Sequence, residues 1–544
     1  MHVSTSNRWR AIAAATGLVT VMAGVAACGS DDSGAAAAAG GTLTFALDSS
    51  PDNLDPNSSS SSVNAEVMRQ VYDSLVHRTK DGDYEPWLAT SWEVSKDGKV
   101  YTFELRDDVK FHDGTPFDAK AVCFNFDRIT DPKTQSKSAI SALGDTYKAC
   151  KVTGDHEVEL TLTQPTFDWL SGLSQVWTGI ESPAAIKKYG DQVVTHPVGT
   201  GPFKFVKMQL NQQVVLAKNA DYRWNPEGAK HQGPAELDQL VLKVIPESTT
   251  RFRSVGVDID AAESIAPQDV NAAKANSALT VDTVPVVGTP YQLFLNTTHA
   301  PWDDVEARKA VRSAMNVPAI IKSLYFGVYD RAWGPLTPPT KFYDDSVEDG
   351  WEYDPDAAAS AFDDLGWTMG SDGYRHKAGK TLQMDYLVPS DKREKRQEVA
   401  QFLQENLKQV GVKVNLHFEA SGPYDAMRDD NKYDVIGLSL TSGFSTLNAI
   451  YDSRNAPGAD GDSYYNYSRL DDPEIDKLLA KSDSVTSDEQ AAEVYSAVQQ
   501  YVVDNAVSVP IYNYQYTVVA TDKVDGIAYN WKSYPLFVGA TVSK

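Results

Sequence analysis

Three cysteines have the most readily specified chemistry in this 544-residue chain: Cys28, Cys123 and Cys150. Cys28 ends the run Val25-Ala26-Ala27-Cys28, which closes an uncharged apolar stretch from Ala11 preceded by Arg8 and Arg10. A positive flank, a short apolar run and small residues at its end are the features of an export signal. The run is short of a good membrane span; an uncleaved N-terminal anchor is the alternative. In an oxidising compartment the two remaining cysteines, an even pair, suggest one disulfide, with two unpaired thiols as the alternative. Other chemistry is hard to find. Gly373 to Gly379-Lys380-Thr381 has five residues between its glycines where a phosphate loop needs four, and it precedes a strand, so it reads as a hairpin. No HExxH or GxSxG pattern occurs, and the nine histidines are scattered. Asp344-Asp345 and Asp460-Gly461-Asp462 lack the full calcium-loop pattern and read as solvated turns. No catalytic residue, metal ligand or cofactor site is expected.

Val25-Ala26-Ala27-Cys28 resembles the lipobox of bacterial lipoproteins. That resemblance implies removal of residues 1–27, lipid on Cys28, and a body held at the outer face of the cytoplasmic membrane. Residues 28–41, rich in Ala, Gly, Ser and Asp, are too poor in apolar bulk for a core and read as a flexible tether. One lipidated cysteine is an anchor rather than a span.

The remaining length calls for two or three lobes, and 42% apolar content with eleven tryptophans argues for well-formed cores. The net charge is −24, and removing the leader takes away two arginines and no acid. Such a balance argues against nucleic acid as a partner. Thr42 to Leu47 alternates as a strand, Asp97-Gly98 marks a hairpin, and Asp118 caps a helix carrying Cys123. Cys150 to Thr163 reads as two strands. Pro197 to Phe203 is a breaker cluster where the chain crosses between lobes. In the second half, Asp303 and Glu306 form a capping box. Val399, Phe402, Leu403, Leu407 and Val410 stripe a helix ending at Gly411, between strands at Met384–Val388 and 412–418. Strand, helix, strand implies a parallel sheet. A further strand from Val435 leads into Thr441-Ser442-Gly443-Phe444-Ser445, a pocket wall if ligands sit beyond the strand ends.

Glu85-Pro86-Trp87-Leu88-Ala89-Thr90-Ser91-Trp92, Val109-Lys110-Phe111-His112-Asp113-Gly114-Thr115-Pro116-Phe117 and Phe124-Asn125-Phe126-Asp127-Arg128 carry a resemblance. Leu54-Asp55-Pro56, Val198-Gly199-Thr200-Gly201-Pro202-Phe203, Pro301-Trp302-Asp303-Asp304-Val305 and Val509-Pro510-Ile511-Tyr512 extend it over nearly the whole mature chain. The chain is similar to the family 5 solute-binding proteins, extracytoplasmic receptors of dipeptide, oligopeptide and nickel ABC importers.

The resemblance implies an α/β bilobal periplasmic-binding-protein-like fold of type II with an extra subdomain and two hinge crossings. Lobe I would take residues 42–79, 197–287 and 508–544, the subdomain 80–196, and lobe II 288–507. A monomer would trap a small peptide-like or oligosaccharide solute between lobes and dock on ABC permease subunits driven by their ATPases. A sensing-only receptor and a secreted hydrolase are the rival readings. Peptide-binding members usually carry an aspartate just after the strand matching Val435 to Leu440, to pair with the peptide ammonium. Here Leu438 to Asn448 holds no acid; Asp434 and Asp452 are nearest. A buried ammonium without a counter-charge is costly, so another acid substitutes or the ligand lacks a free amine. Thr441, Ser442, Ser445 and Asn448 are candidate hydrogen-bonding residues. Trp177, Trp333, Phe444 and Trp531 are candidate aromatic walls. Capped helix starts and core packing are the plainer roles for each.

Overall fold

Strand β1 (Thr42–Leu47) alternates at its start and then buries Phe45, Ala46 and Leu47 in succession. Burial on both faces is what a central parallel strand requires. The structure, a computed structural model, describes residues 40–390, 393–458, 465–482 and 484–543. Cys28, the leader, nearly all of the tether and Asp460-Gly461-Asp462 lie outside the described residues.

After β1, helix α1 (Ser62–Met68) is followed by strands β2 (Ala89–Val94) and β3 (Val100–Leu105), joined through Gly98 at φ +69°. Helix α2 (Ala119–Thr130) starts on Asp118, whose carboxylate accepts from the Ala121 N–H. Strands β4 (Tyr147–Gly154) and β5 (Glu157–Leu162) complete an antiparallel sheet of order β2-β3-β5-β4. Cys123 on α2 and Cys150 on β4 are joined as a disulfide, with Cα atoms 5.2 Å apart. Asp55 in the loop after β1 takes both terminal nitrogens of Arg128, at 2.6 and 2.7 Å, and so clamps that loop to α2.

The chain then returns through Val198-Gly199-Thr200-Gly201. A Cβ on Gly199 would lie 2.1 Å from the Val71 carbonyl oxygen, so only glycine fits. Strands β6 (Phe203–Gln209), β7 (Gln213–Lys218), β8 (Gln239–Val244), β9 (Ala261–Glu263) and β10 (Leu279–Pro285) follow.

The second half begins with β11 (Tyr291–Leu295) and α3 (Val305–Ser313). The cap of α3 is Asp304, which accepts from the Glu306 N–H, one residue later than the expected Asp303. After β12 (Asp330–Arg331) and α4 (Pro355–Asp364), β13 (Gln383–Pro389), α5 (Arg396–Lys408) and β14 (Lys413–Glu419) form the expected βαβ unit, with β13 and β14 parallel. Strand β15 (Val435–Leu438) pairs parallel to β13 on its other side, and helix α6 (Thr446–Tyr451) comes next. The chain ends with β16 (Ser508–Asn513) and β17 (Gln515–Thr521).

These strands build two sheets. The first has order β10-β17-β9-β1-β8-β7-β6 and the second β12-β16-β11-β15-β13-β14. The fold is α/β and bilobal. The chain passes between the sheets twice: at 286–290, between β10 and β11, and at Tyr514, between β16 and β17. The Val286 N–H donates to the Tyr514 carbonyl oxygen, so the crossings lie side by side. The second crossing therefore falls at Tyr514 and not before Ser508. Residues 508–513, expected in lobe I, pair with β11 in the second sheet. Pro197–Phe203, read as an interlobe crossover, instead returns the chain from the four-stranded sheet to the first sheet, with Phe203 opening β6. Among the described residues no helix is long and apolar enough to cross a membrane.

Candidate functional site: the cleft between the two sheets

The parallel strands of both sheets end towards the crossings. In the first sheet β1, β8 and β9 run parallel, and β10 ends at Pro285 beside Gln515. In the second, β13, β14 and β15 run parallel, and β16 ends next to Tyr514. The two carboxyl edges thus face one another across the hinge, where open α/β sheets place their ligands.

A cavity of about 180 Å³ occupies this cleft, lined from the first lobe by Arg78, Gly82 and Trp531 and from the second by Lys341 and Gly443, with Val287 of the first crossing between them. The lobes approach closely here. A Cβ on Gly443 would sit 3.9 Å from Arg78 Nη1. At Gly288 (φ +115°) a Cβ would meet the Leu440 carbonyl oxygen at 2.0 Å, so glycine lets the crossing pass under the 440–443 loop. Thr289 holds that loop, accepting the Leu440 N–H at 2.8 Å and donating its own N–H back to Leu440 at 2.9 Å.

The guanidinium of Arg78 lies 4.5 Å from the Trp531 ring centroid and 3.6 Å from Asp168, and it donates to Ser171 Oγ. Arg396, at the start of α5, reaches the same edge of the second sheet. It stacks 4.6 Å from the Tyr291 ring and donates to Ser439 Oγ and Glu394 Oε2. At the edge of the first sheet Glu66 and Glu263 share a buried site with Tyr516, whose hydroxyl donates to Glu263. Burial and the neighbouring Glu263 push the Glu66 carboxyl well up.

Of the residues expected from sequence, Trp531 and the loop holding Thr441 and Ser442 reach the cavity region. Phe444 turns inward, 2% exposed, into a ring cluster with Phe342, Tyr495 and Phe167. Ser445 stands at the start of α6 without capping it through its side chain. Asn448 is occupied by Ser482 at 2.7 Å and Tyr495 at 3.1 Å. Trp333 packs on Arg331, 3.4 Å from its ring centroid, beside Trp351. Trp177 is buried in the core of the first lobe. Sequence reasoning passed over Arg78, Lys341 and Arg396. Each lies in or beside a polar loop, and nothing local distinguishes it from a solvated surface charge.

The two acids nearest the 438–448 segment are both engaged. Asp434 accepts from His299 Nδ1 at 2.9 Å and from the Asp385 N–H at 2.8 Å, and Asp452 is paired with Arg454 at 2.6 Å. Asp434, Asp385, His299 and His417 also line a second cavity, of about 300 Å³, in the second lobe.

Residues 83–462 match the family described as bacterial extracellular solute-binding proteins, family 5 Middle. The chain is 27% identical over 482 residues to the glutathione-binding protein GsiB of Escherichia coli O1:K1 / APEC, covering 86% of this chain and 88% of the relative. It is 28% identical over 474 residues to the nickel-binding periplasmic protein of Escherichia coli (strain K12), covering 85% and 87%. Its fold superposes with a TM-score of 0.82 on NikA from Brucella suis, crystallised in complex with Fe(III)-EDTA, at 26% identity over 92% of this chain and all of that one. A match over most of the chain, together with two opposed sheets on a double hinge, leads to one assignment: the chain belongs to the bacterial extracellular solute-binding proteins of family 5.

Proposed function

We propose that this chain is the lipid-anchored receptor of an ABC importer, capturing an oligopeptide-like solute between its lobes and delivering it to the permease. The observation that carries this reading is the cavity lined from both lobes at the double hinge. A solute that touches Arg78 and Trp531 on one side and Lys341 and Gly443 on the other favours the closed arrangement by its contacts with both. Three parts serve this role: residues 42–79, 197–285 and 515–543 as one lobe, 80–196 as its subdomain, and the second sheet with its helices as the other lobe. Capture and delivery need no covalent step from this chain. Cys28 supplies the anchor that keeps the receptor near its permease.

The engaged state of Asp434 and Asp452 favours a second reading of the solute: a blocked peptide, an oligosaccharide or another amphiphile without a free ammonium. A thermal-shift and tryptophan-fluorescence panel of free peptides, N-acetylated peptides and oligosaccharides separates the two. Saturable binding with the solute recovered intact is expected. Turnover of the solute would replace the receptor reading with that of a hydrolase. Cys28→Ser is expected to release the chain from membranes into the medium; retention on the membrane would contradict the lipid anchor.

A further inference from the structure

Positive charge gathers on the first-lobe side of the cleft beyond what its acids balance. Arg78, 4% exposed, has Asp168 at 3.6 Å. Arg69, 6% exposed, spends its donors on Ser74 Oγ at 3.1 Å and the Ser174 carbonyl at 3.0 Å. Its neighbour Asp73 already accepts from Thr200, Trp224 and Tyr222. Lys532 lies 5.1 Å from the Trp531 ring and donates to the neutral Gln175 Oε1 at 2.8 Å. Among the described residues no carboxylate pairs with it. Burial, then Arg78 and Arg69, push the Lys532 ammonium down to about 7. Lys80 and Lys341 add two cations to the cavity wall, against one acid, Asp81. Lys341 is held at 2.7 Å by Asp488. An ammonium beside two arginines with only a neutral acceptor is an unfavourable arrangement that an incoming anion relieves.

We propose that the cavity between Arg78, Trp531 and Lys341 is an anion subsite, in which the captured solute places a carboxylate. Arg78 presents guanidinium donors over the flat indole, the geometry that suits a planar carboxylate. Lys532, its ammonium 5.1 Å from the Trp531 ring, supplies the second charge, and Lys341 closes on the same group from the other lobe. One feature of the other lobe points the same way: Asp434 is engaged by His299 and the Asp385 N–H. A cavity of about 180 Å³ accepts a group the size of one amino-acid residue. The subsite rests on the receptor reading above and narrows its solute to acidic ones.

The test uses the purified protein and a protein hydrolysate in two forms, untreated and with its carboxyl groups converted to methyl esters. Retained solutes are counted by mass spectrometry after dialysis. A charge-assisted contact predicts at least about tenfold less retention of the esterified form. Lys532→Gln is expected to reduce retention of the untreated form about tenfold and to narrow the difference between forms. Arg78→Gln should do the same, and where it unfolds the protein Lys532→Gln decides. Equal retention of both forms, undiminished retention by a folded variant, or retained solutes without an acidic group would overturn the subsite and leave the receptor reading standing. No retention of either form by the wild-type chain would overturn the receptor reading and the subsite with it.

Discussion

Phe167→Ala should loosen the cleft without unfolding either lobe. Phe167, from the loop after β5, packs against Phe444 and Phe342 of the other lobe, with ring centroids 6.0 and 6.4 Å apart. Phe444 and Phe342 keep each other at 4.7 Å and Tyr495 at 4.8 and 6.3 Å, so their own lobe stays packed when Phe167 is truncated. Each aromatic contact contributes about 0.5–1.5 kcal/mol beyond simple burial. Losing both removes about 2 kcal/mol from the closed arrangement alone, which moves the closed-to-open ratio by about 30-fold. Where the closed form is the minor one, solute affinity falls by the same factor, mostly through faster release. Small-angle scattering in the presence of solute should show a larger radius of gyration than wild type, and stopped-flow tryptophan fluorescence a faster dissociation. Phe167→Leu should recover part of both. A folded Phe167→Ala protein with unchanged scattering and unchanged affinity would refute the view that these rings hold the lobes together.

Three further outcomes follow from the structure. Replacing Cys123 and Cys150 by Ala frees a loop spanning 27 residues and should lower stability by about 3.5 kcal/mol on the loop-entropy account; non-reducing peptide mapping should find the two joined, and two alkylatable thiols in the native protein would contradict the bond. Because Glu66 is raised, the stability its protonated form contributes is complete below the ordinary glutamate range and is lost as pH climbs through the raised value. Glu66→Gln should therefore melt higher than wild type at pH 8, by the equivalent of about 1 kcal/mol, with no gain at pH 4; a loss at both pH values would mean that the carboxyl is needed ionised. Lys532 is pushed down to about 7 and a bound anion raises it again, so affinity for an acidic solute should be highest below pH 7 and fall towards pH 9, with the slope flattened in Lys532→Gln; affinity that rises with pH would exclude its role.

Much of the second sheet was legible because its signals are local. The α5 stripe from Val399 to Val410 and the alternation after Gly411 fix a helix between two strands, and β13 and β14 are parallel as that order requires. The hinge was less legible. Residues 508–521 form one almost unbroken β run, interrupted only at Tyr514, and nothing in their composition marks where one sheet gives way to the other. Trp531 could be picked out as an aromatic in a polar loop. Trp177 and Trp333 carry the same signal, and only tertiary packing separates them from it. Phe444 stood out for its place beyond a strand end, yet burial among rings makes it a contact between lobes more than a surface for solute. The cation cluster was hidden because Arg69, Arg78, Lys341 and Lys532 are far apart in sequence, and only the folded chain assembles them.

The central claim is that solute is held between the two lobes and released unchanged. The most direct measurement is small-angle scattering of the protein with and without a solute identified by mass spectrometry, paired with recovery of that solute. One intact solute per chain and a smaller radius of gyration on binding are expected. Binding with no change in scattering, or recovery of a chemically altered solute, would contradict the account.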